Sequence, residues 1–188
     1  MDDAGVPRAA GPTIYLRSGL YFDLGEPRAC PFTIEDVAHS LAHICRFGGH
    51  THRFYSVAEH SVWCSRIVPP EHALEALLHD AAEAFIGDVT RPLKSMLPSY
   101  RALEASVEEA VFARLGIGPV LHESVREADR RMLVAEQRQA MGCADTWPGL
   151  EGVAPAPVVL WFLKPSAAEE AFLREYERLA AERGRGHV

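Results

Sequence analysis

An adjacent histidine and aspartate, His79-Asp80, place the strongest constraint on how this chain can fold. The pair interrupts the apolar run ALLHDAAEAF, and ionisable side chains in such surroundings are seldom buried without a partner or a metal. Neighbouring helix residues project about 100° apart, so both side chains can reach one point only in a crevice between helices. His60 upstream and Asp129 downstream supply a second imidazole and a second carboxylate. Together the four residues predict a divalent transition-metal site where several helices meet.

Composition and charge favour one soluble domain and argue against a protein that binds nucleic acid through its general surface. Hydrophobic residues make up 48% and charged residues 24% of the 188 positions, which argues against disorder. We therefore expect a single domain over residues 1–188, with its core at about 13–183. The net charge of −7 disfavours a nucleic-acid polymer as partner but leaves room for a small anionic ligand in a local basic pocket.

The sequence has no pattern that would send it to a membrane or an oxidising compartment. The N-terminal stretch MDDAGVPRAAGP is polar and broken by prolines, unlike a signal segment. No apolar run approaches the ~20 residues of a membrane span. Because the cysteines lack Cys-x-x-Cys spacing, we expect reduced thiols rather than a thiolate zinc site or a redox motif. These cysteines are Cys30, Cys45, Cys64 and Cys143. A cytoplasmic location is the simplest expectation.

Periodicity and turn residues predict a mostly α-helical protein with a small N-terminal β-hairpin. The hairpin covers residues 13–22 and turns at Ser18-Gly19. Thr33 and Asp36 form a capping-box pattern for a first helix, which should end near residues 48–49. Five more helices are predicted: from Ser56 to about Val68, about Glu71 to Ile86, Ser99 to Leu115, about His122 to Met141, and Ser166, capped with Glu169, to near Gly184. Residues 147–157 are predicted to form a loop.

Glu83 makes the predicted metal site a candidate active site. It follows His79 by four residues and Asp80 by three, so one helix would project it from the same side as both. A carboxylate beside a metal can orient a water molecule or remove its proton, which is the division of labour in metal-assisted hydrolysis. On spacing alone, a solvated helix carboxylate is an equal alternative.

His39 and His43 form a rival pair of candidate ligands. They stand four residues apart on the first predicted helix, which is good spacing for two ligands on one face. A His-Glu-x-x-His motif would need glutamate where Ser40 stands, so metalloprotease chemistry is not predicted.

Cationic groups for an anionic substrate occur in two places. The segment RFGGHTHR, residues 46–53, gathers two arginines and two histidines around a Gly-Gly bend. Arg46 is suited to hold a phosphate with two hydrogen bonds, whereas His52 and Arg53 are expected to be solvated. Lys94, after the turn that contains Asp88, is a second candidate phosphate contact, with a solvated lysine as the alternative.

At these residues the chain resembles the small bacterial HD-domain phosphohydrolases, the group that includes the 5'-deoxynucleotidases. The resemblance implies a single HD-domain helical bundle and one divalent transition metal. It implies that Glu83 and Asp80 are catalytic, with Glu83 serving the nucleophilic water. It covers most of residues 20–140, in four segments: Leu20–Asp23, Arg46–His60, Leu78–Lys94 and Glu127–Glu136. The implied metal ligands are His60, His79, Asp80 and Asp129.

The resemblance also implies substrate contacts. Arg46 matches a position that meets the substrate phosphate or sugar, Lys94 a position on the phosphate side, and Asp88 one that shapes the sugar end of the pocket. Phe47 stands where relatives often have tryptophan, and His50 completes the predicted set. Co, Mn, Zn, Fe and Ni all suit the mixed ligands, with Mg as a further candidate. Because related proteins are commonly homo-oligomers, we expect a homo-oligomer.

These features predict a metal-dependent phosphoric ester hydrolase of small nucleotides, releasing phosphate from (deoxy)ribonucleoside 5'-monophosphates. The main alternative is a (deoxy)nucleoside triphosphate phosphohydrolase that removes tripolyphosphate or sequential phosphates. For that reaction His50, His52, Arg53 and Arg91 would offer additional cationic groups. A metal-retaining nucleotide sensor without turnover, and a hydrolase of another phosphate ester, are the remaining alternatives.

Overall fold

The structure, a computed structural model, describes residues 11–185 and places two short strands ahead of eight helices. This confirms the predicted mostly α-helical class with a small N-terminal hairpin. Much of the N-terminal stretch on which the expected absence of a signal segment rests lies outside the described residues. Across the described part of the chain, none of the helices combines the length and the apolar character needed to cross a membrane.

The hairpin pairs β1 (Thr13–Tyr15) with β2 (Tyr21–Asp23) in antiparallel register. The turn between them contains Gly19, whose φ of +87° is a conformation that glycine adopts without steric cost. Phe22 on β2 is fully buried and stacks on Phe85 with ring centroids 4.0 Å apart. The hairpin therefore covers one end of the helical core.

The helices begin largely at the capping residues that the sequence indicates. Thr33 and Asp36 form the predicted capping box: the Thr33 side chain accepts from the Asp36 N–H at 3.2 Å, and Asp36 accepts from the Thr33 N–H at 3.0 Å. Ser56 accepts from the Glu59 N–H at 3.2 Å. The helices are α1 (Ile34–His43), α2 (Val57–Ile67), α3 (Ala73–Leu78), α4 (Glu83–Ile86), α5 (Arg91–Met96), α6 (Pro98–Leu115), α7 (Glu123–Gln139) and α8 (Pro165–Arg185).

The predicted helix from about Glu71 to Ile86 is wrong in one respect, because it is interrupted at residues 79–82. There the backbone tightens into bonds between residues three apart, such as Glu83 N–H to Asp80 O at 3.0 Å and Ala81 N–H to Leu78 O at 3.0 Å. This 3₁₀-type winding has three residues per turn, so side chains three apart eclipse one another. Asp80 and Glu83 are therefore brought onto one side by a tighter winding than the predicted α-helix.

Two other boundaries differ from the prediction, and one short helix was not predicted. α1 ends at His43, before residues 48–49, because Ile44 is already extended and Cys45 forms an antiparallel bridge with Ser56. α8 begins at Pro165, so Ser166 lies inside the helix rather than capping it. Residues 91–96 form the additional short helix α5. These are places where pairing in space or a proline at the first helical position decides the start or end.

α2 is the central helix, packed against α1, α3, α7 and α8. The main core lies around it, between the hairpin and α1–α4, α6 and α8. A smaller apolar cluster joins α2, α3 and α7 to the segment at 156–160. Since α2 has neighbours on most sides, its polar side chains are buried too, including Glu59, His60 and Ser61. Polar groups on such a helix need specific partners.

Candidate metal centre

His60 enters the site from α2 and is completely buried. Its Nδ1 lies 2.5 Å from Glu136 Oε1. The carboxylate can only accept there, so Nδ1 carries the proton and Nε2 presents a lone pair. This Nε2 lies 3.4 Å from Asp129 Oδ1 and 3.6 Å from Asp80 Oδ2. The predicted ligands of three different elements thus approach one another around the His60 ring.

His79 presents a second imidazole lone pair from the turn that follows α3. Its Nδ1 donates to the Ala76 carbonyl at 2.8 Å, which leaves Nε2 as the acceptor nitrogen. Nε2 is buried and has no hydrogen-bond partner among the described residues. It lies 3.2 Å from Asp80 Oδ1, an acceptor that cannot satisfy a lone pair. A buried, unpaired imidazole nitrogen beside carboxylates is suited to a metal ion.

The structure places a cysteine beside these two imidazoles. The ligand atoms of His60, Cys64 and His79 all lie within 4.8 Å of one another, and all three residues are buried. The chain therefore contains a buried group that could hold a metal ion. Burial raises the pKa of the Cys64 thiol to about 11. Cys64 was not predicted as a ligand; its only indication in the sequence is the four-residue spacing from His60 on one helix face.

Glu83, at the start of α4, carries a buried carboxylate next to the ligands. Its Oε2 has no hydrogen-bond partner among the described residues, and its Oε1 lies 4.0 Å from Lys94 Nζ. Burial raises the pKa of Glu83, and the negative charges of Asp80 and Asp88 raise it further. A carboxylate with a raised pKa and an unengaged oxygen is suited to accept a proton.

Arg46 supplies the buried positive charge of the site. The Cys45–Ser56 bridge fixes its backbone, with the Arg46 N–H donating to the Tyr55 carbonyl at 2.9 Å. Burial would lower the pKa of Arg46, but the Glu136 and Asp80 carboxylates outweigh it and raise that pKa. Its Nη1 lies 3.8 Å from Asp80 Oδ2, and its Nε is buried without a hydrogen-bond partner among the described residues. Arg46 thus retains a buried donor for an anion.

Glu136 on α7 is the main residue that sequence reasoning missed as part of the site. It is fully buried and accepts from Arg46 Nη2 at 3.0 Å, from the Tyr55 hydroxyl at 2.8 Å and from His60. Burial opposes its ionisation, but the charge of Arg46 and the hydrogen bonds from His60 and Tyr55 lower the pKa of Glu136 to about 2. Its seven-residue spacing from Asp129, two helical turns, is the indication available in the sequence.

Two of the predicted substrate contacts surround Glu83. Lys94 on α5 pairs with Glu104 at 2.5 Å as well as approaching Glu83. Asp88 is partly buried in the turn after α4; burial raises its pKa and the charge of Arg46 opposes that rise. The charges of both residues act on Glu83: that of Asp88 raises its pKa and that of Lys94 lowers it.

The turn after Arg46 carries the other two predicted substrate contacts. Phe47 is half-buried with a φ of +57°, which is uncommon for a residue with a side chain and marks a tightly determined turn. Its ring lies 5.3 Å from the Arg46 guanidinium and 5.9 Å from the Trp147 ring. His50 is exposed at the end of this turn. Phe47 therefore lies beside the buried charge, and His50 faces solvent.

The rival histidines form a separate group. His39 Nδ1 lies 3.0 Å from Glu169 Oε2 on α8 and 2.9 Å from Arg17 Nη1, and Arg17 also pairs with Glu169. His43 Nδ1 bonds the His39 carbonyl at 2.7 Å. Here a guanidinium already neutralises the carboxylate, unlike the centre around His60 and His79, where a buried lone pair is unpartnered.

Fold and site together define a mostly α-helical protein with a buried histidine–cysteine group that could hold a metal, flanked by carboxylates and an arginine.

No protein-family model matches the chain. The chain is 40% identical over 169 residues to the uncharacterized protein YfdR of Escherichia coli, covering 87% of this chain and 93% of YfdR. It is 36% identical over 123 residues to an uncharacterized protein of Rhodobacter capsulatus, covering 60% of this chain and 63% of that protein. The chain belongs to the YfdR family.

Proposed function

We propose that this protein is a metal-dependent phosphohydrolase of small nucleotides, of the HD-domain type, acting on (deoxy)ribonucleoside 5'-monophosphates. The observation that carries the proposal is the buried, unpartnered Nε2 of His79 beside the Asp80 carboxylate, with a second unpartnered oxygen on Glu83. Leaving two such groups buried is costly unless they bind something. A divalent ion satisfies the nitrogen, and a water molecule satisfies the carboxylate.

The residues proposed to hold the ion are His60, His79, Asp80 and Asp129. Both imidazoles have their other nitrogen fixed, by Glu136 and by the Ala76 carbonyl, so their lone pairs are already oriented. The Asp129 side chain is 35% exposed, so the centre is open to solvent on that side. When bound, a divalent ion would supply Lewis acidity toward a phosphoryl oxygen and lower the pKa of water.

Charge complementarity favours a phosphate as the substrate group. Arg46 offers a buried Nε donor without a partner among the described residues, and Lys94 Nζ lies 4.0 Å from Glu83 Oε1. The positive charges of both residues act on Glu83 and oppose the rise in its pKa. Guanidinium and ammonium groups placed around a phosphoryl group offset the charge that accumulates on its oxygens. Glu83, with a raised pKa, would orient and deprotonate the attacking water.

The additional cationic groups that a triphosphate would need, His50, His52, Arg53 and Arg91, are all exposed, whereas Arg46 is buried. Arg53 lies over the Phe162 ring, 4.5 Å from its centroid, and His50 is exposed. Arg91 begins α5 on the exposed side. Within the described residues, the two cations that approach the catalytic carboxylates are Arg46 and Lys94, which suits a single phosphate group.

The experiment that tests this proposal is a substrate panel on metal-stripped full-length protein. Ribo- and deoxyribonucleoside mono- and triphosphates are incubated with added Mn, Co, Zn or Mg, and the released products are identified. We expect inorganic phosphate from monophosphates. Tripolyphosphate from triphosphates alone would transfer the assignment to the alternative reaction. Metal uptake without hydrolysis of any panel member would overturn the nucleotidase proposal.

Exchanging Glu83 for glutamine should separate catalysis from metal binding. The amide keeps the size of the side chain but cannot accept a proton, so we expect kcat to fall by roughly 10²–10⁴-fold. Because Glu83 is not among the proposed ligands, bound metal per chain should be unchanged. Metal analysis and phosphate release are measured on the same samples, with the exposed Glu177→Gln as the matched control. Retention of full activity in Glu83→Gln would remove its catalytic role.

A further inference from the structure

We propose that the Cys64 thiolate is itself a ligand of the metal centre, so that the ion is held by sulfur as well as by nitrogen and oxygen. The inference rests on the proposed function in so far as it uses the same metal site. It adds Cys64 to the four ligands that the resemblance implies, which are His60, His79, Asp80 and Asp129.

The geometry places the sulfur at ligand distance from the first imidazole. Cys64 follows His60 by four residues on α2, so both side chains project from one face. Cys64 Sγ lies 3.4 Å from His60 Nε2, the ring nitrogen that does not bond Glu136. For zinc with S and N bonds of about 2.3 and 2.0 Å, ligand–metal–ligand angles of about 90–120° separate the two ligand atoms by about 3.0–3.7 Å. The observed separation lies within this range.

A second and independent observation is the unpartnered nitrogen of His79. His79 comes from a different element, is only 8% exposed, and its Nε2 lacks a hydrogen-bond partner among the described residues. This group lies within 4.8 Å of both Cys64 and His60 ligand atoms. Three buried ligand groups, two on α2 and one from the turn after α3, thus converge on one small volume, and one of them, His79 Nε2, has no hydrogen-bond partner among the described residues.

The alternative for Cys64 is a neutral S–H donating weakly to His60 Nε2. An ion bound at His60 Nε2 displaces that hydrogen bond and leaves the buried sulfur without its partner, unless the sulfur binds the same ion. On binding, a metal–sulfur bond forms, the S–H bond breaks, and the proton leaves to solvent. No oxidant or reductant is required.

A thiolate in the ligand set determines which metals the centre prefers. Sulfur is a soft ligand that suits zinc, cobalt and ferrous iron, whereas Mg and Mn prefer oxygen. The proposed set of two imidazoles, two carboxylates and one thiolate should therefore discriminate against Mg and Mn. Replacing sulfur by a hydroxyl removes this discrimination while leaving nitrogen and carboxylate donors in place.

Cobalt substitution tests the inference directly. Full-length metal-stripped protein is loaded with Co(II), and its absorption spectrum is recorded with phosphate release from the nucleotide panel. We expect a near-ultraviolet thiolate-to-cobalt charge-transfer band in the wild type and in Cys143→Ser, the matched control. Cys64→Ser should lose that band, still bind cobalt, and bind it about 10–100-fold more weakly. Its preference for Zn over Mn, in a competition measurement, should fall by a similar factor.

Two outcomes would overturn the thiolate ligand: a cobalt-loaded wild type without the band, or a Cys64→Ser protein that keeps it. X-ray absorption of zinc-loaded wild type needs no variant and should show a sulfur neighbour at about 2.3 Å; nitrogen and oxygen neighbours alone would exclude it. These results are distinct from failure of the proposed function, in which the metal binds and no nucleotide is hydrolysed.

Discussion

Replacing Asp80 by alanine is expected to abolish both metal binding and turnover. The two Asp80 oxygens lie 3.2 Å from His79 Nε2 and 3.6 Å from His60 Nε2, so this carboxylate is the one placed between the two imidazoles. Without Asp80 the ion would lose a charged ligand. The Arg46 guanidinium, whose Nη1 lies 3.8 Å from Asp80 Oδ2, would then repel the ion with less negative charge nearby to offset the repulsion. We expect metal affinity and turnover to fall by more than about 100-fold. Losing a group that only hydrogen-bonds a metal ligand costs about 10–100-fold, and losing a ligand itself should cost more.

The measurement is metal content per chain after dialysis, with phosphate release assayed on the same samples. Asp145→Ala, which removes an exposed carboxylate from the loop after α7, is the matched control and should behave as wild type. An Asp80→Ala protein with full metal-dependent activity would refute the assignment of the site.

Glu59→Ala is expected to produce the largest loss of stability away from the proposed chemistry. Glu59 is fully buried on α2 and accepts three backbone N–H groups, from Trp161 at 2.7 Å, Phe162 at 3.0 Å and Leu163 at 2.7 Å. These bonds hold the segment before α8 in a turn where Phe162 has a φ of +56°. Alanine leaves three donors without their acceptor, at roughly 1 kcal/mol or more each.

The expected cost is therefore about 3 kcal/mol, which corresponds to a fall in Tm of roughly 6–12 °C for a domain of this size. Thermal unfolding followed by circular dichroism measures it. Glu177→Ala, an exposed change on α8, should leave Tm within about 1–2 °C. A Glu59→Ala protein as stable as wild type would show that this carboxylate does not anchor the segment.

Local sequence patterns predicted the elements of the fold well where the deciding contacts are themselves local. The Thr33–Asp36 capping box involves residues three apart, and the Gly19 turn depends on one backbone conformation. Such features can be identified in a sequence because no distant partner contributes to them. The interruption at residues 79–82 could not be predicted in this way, since His-Asp-Ala-Ala contains no glycine or proline that would end a helix.

The candidate site was predictable in its ionisable residues and not in their partners. His60, Asp80 and Asp129 stand out in the sequence because ionisable groups in apolar helical runs require an explanation. In the structure, carboxylate oxygens of Asp80 and Asp129 lie 3.6 and 3.4 Å from His60 Nε2. Glu136 and Cys64 are equally buried, but their roles depend on which ring nitrogen or guanidinium lies opposite in space. Sequence spacing contains no such information when the partner is 90 residues away, as for Arg46 and Glu136.

The position of Glu136 has a consequence for how this family can change over time. One oxygen of its carboxylate bonds His60 and Tyr55 and the other bonds Arg46. Replacing any one of these four residues leaves a buried charge or hydrogen-bonding group of the others without its partner. Single replacements are therefore disfavoured unless a second replacement follows. Among relatives of this chain, these four positions should therefore be inherited as one unit, either all retained or replaced together.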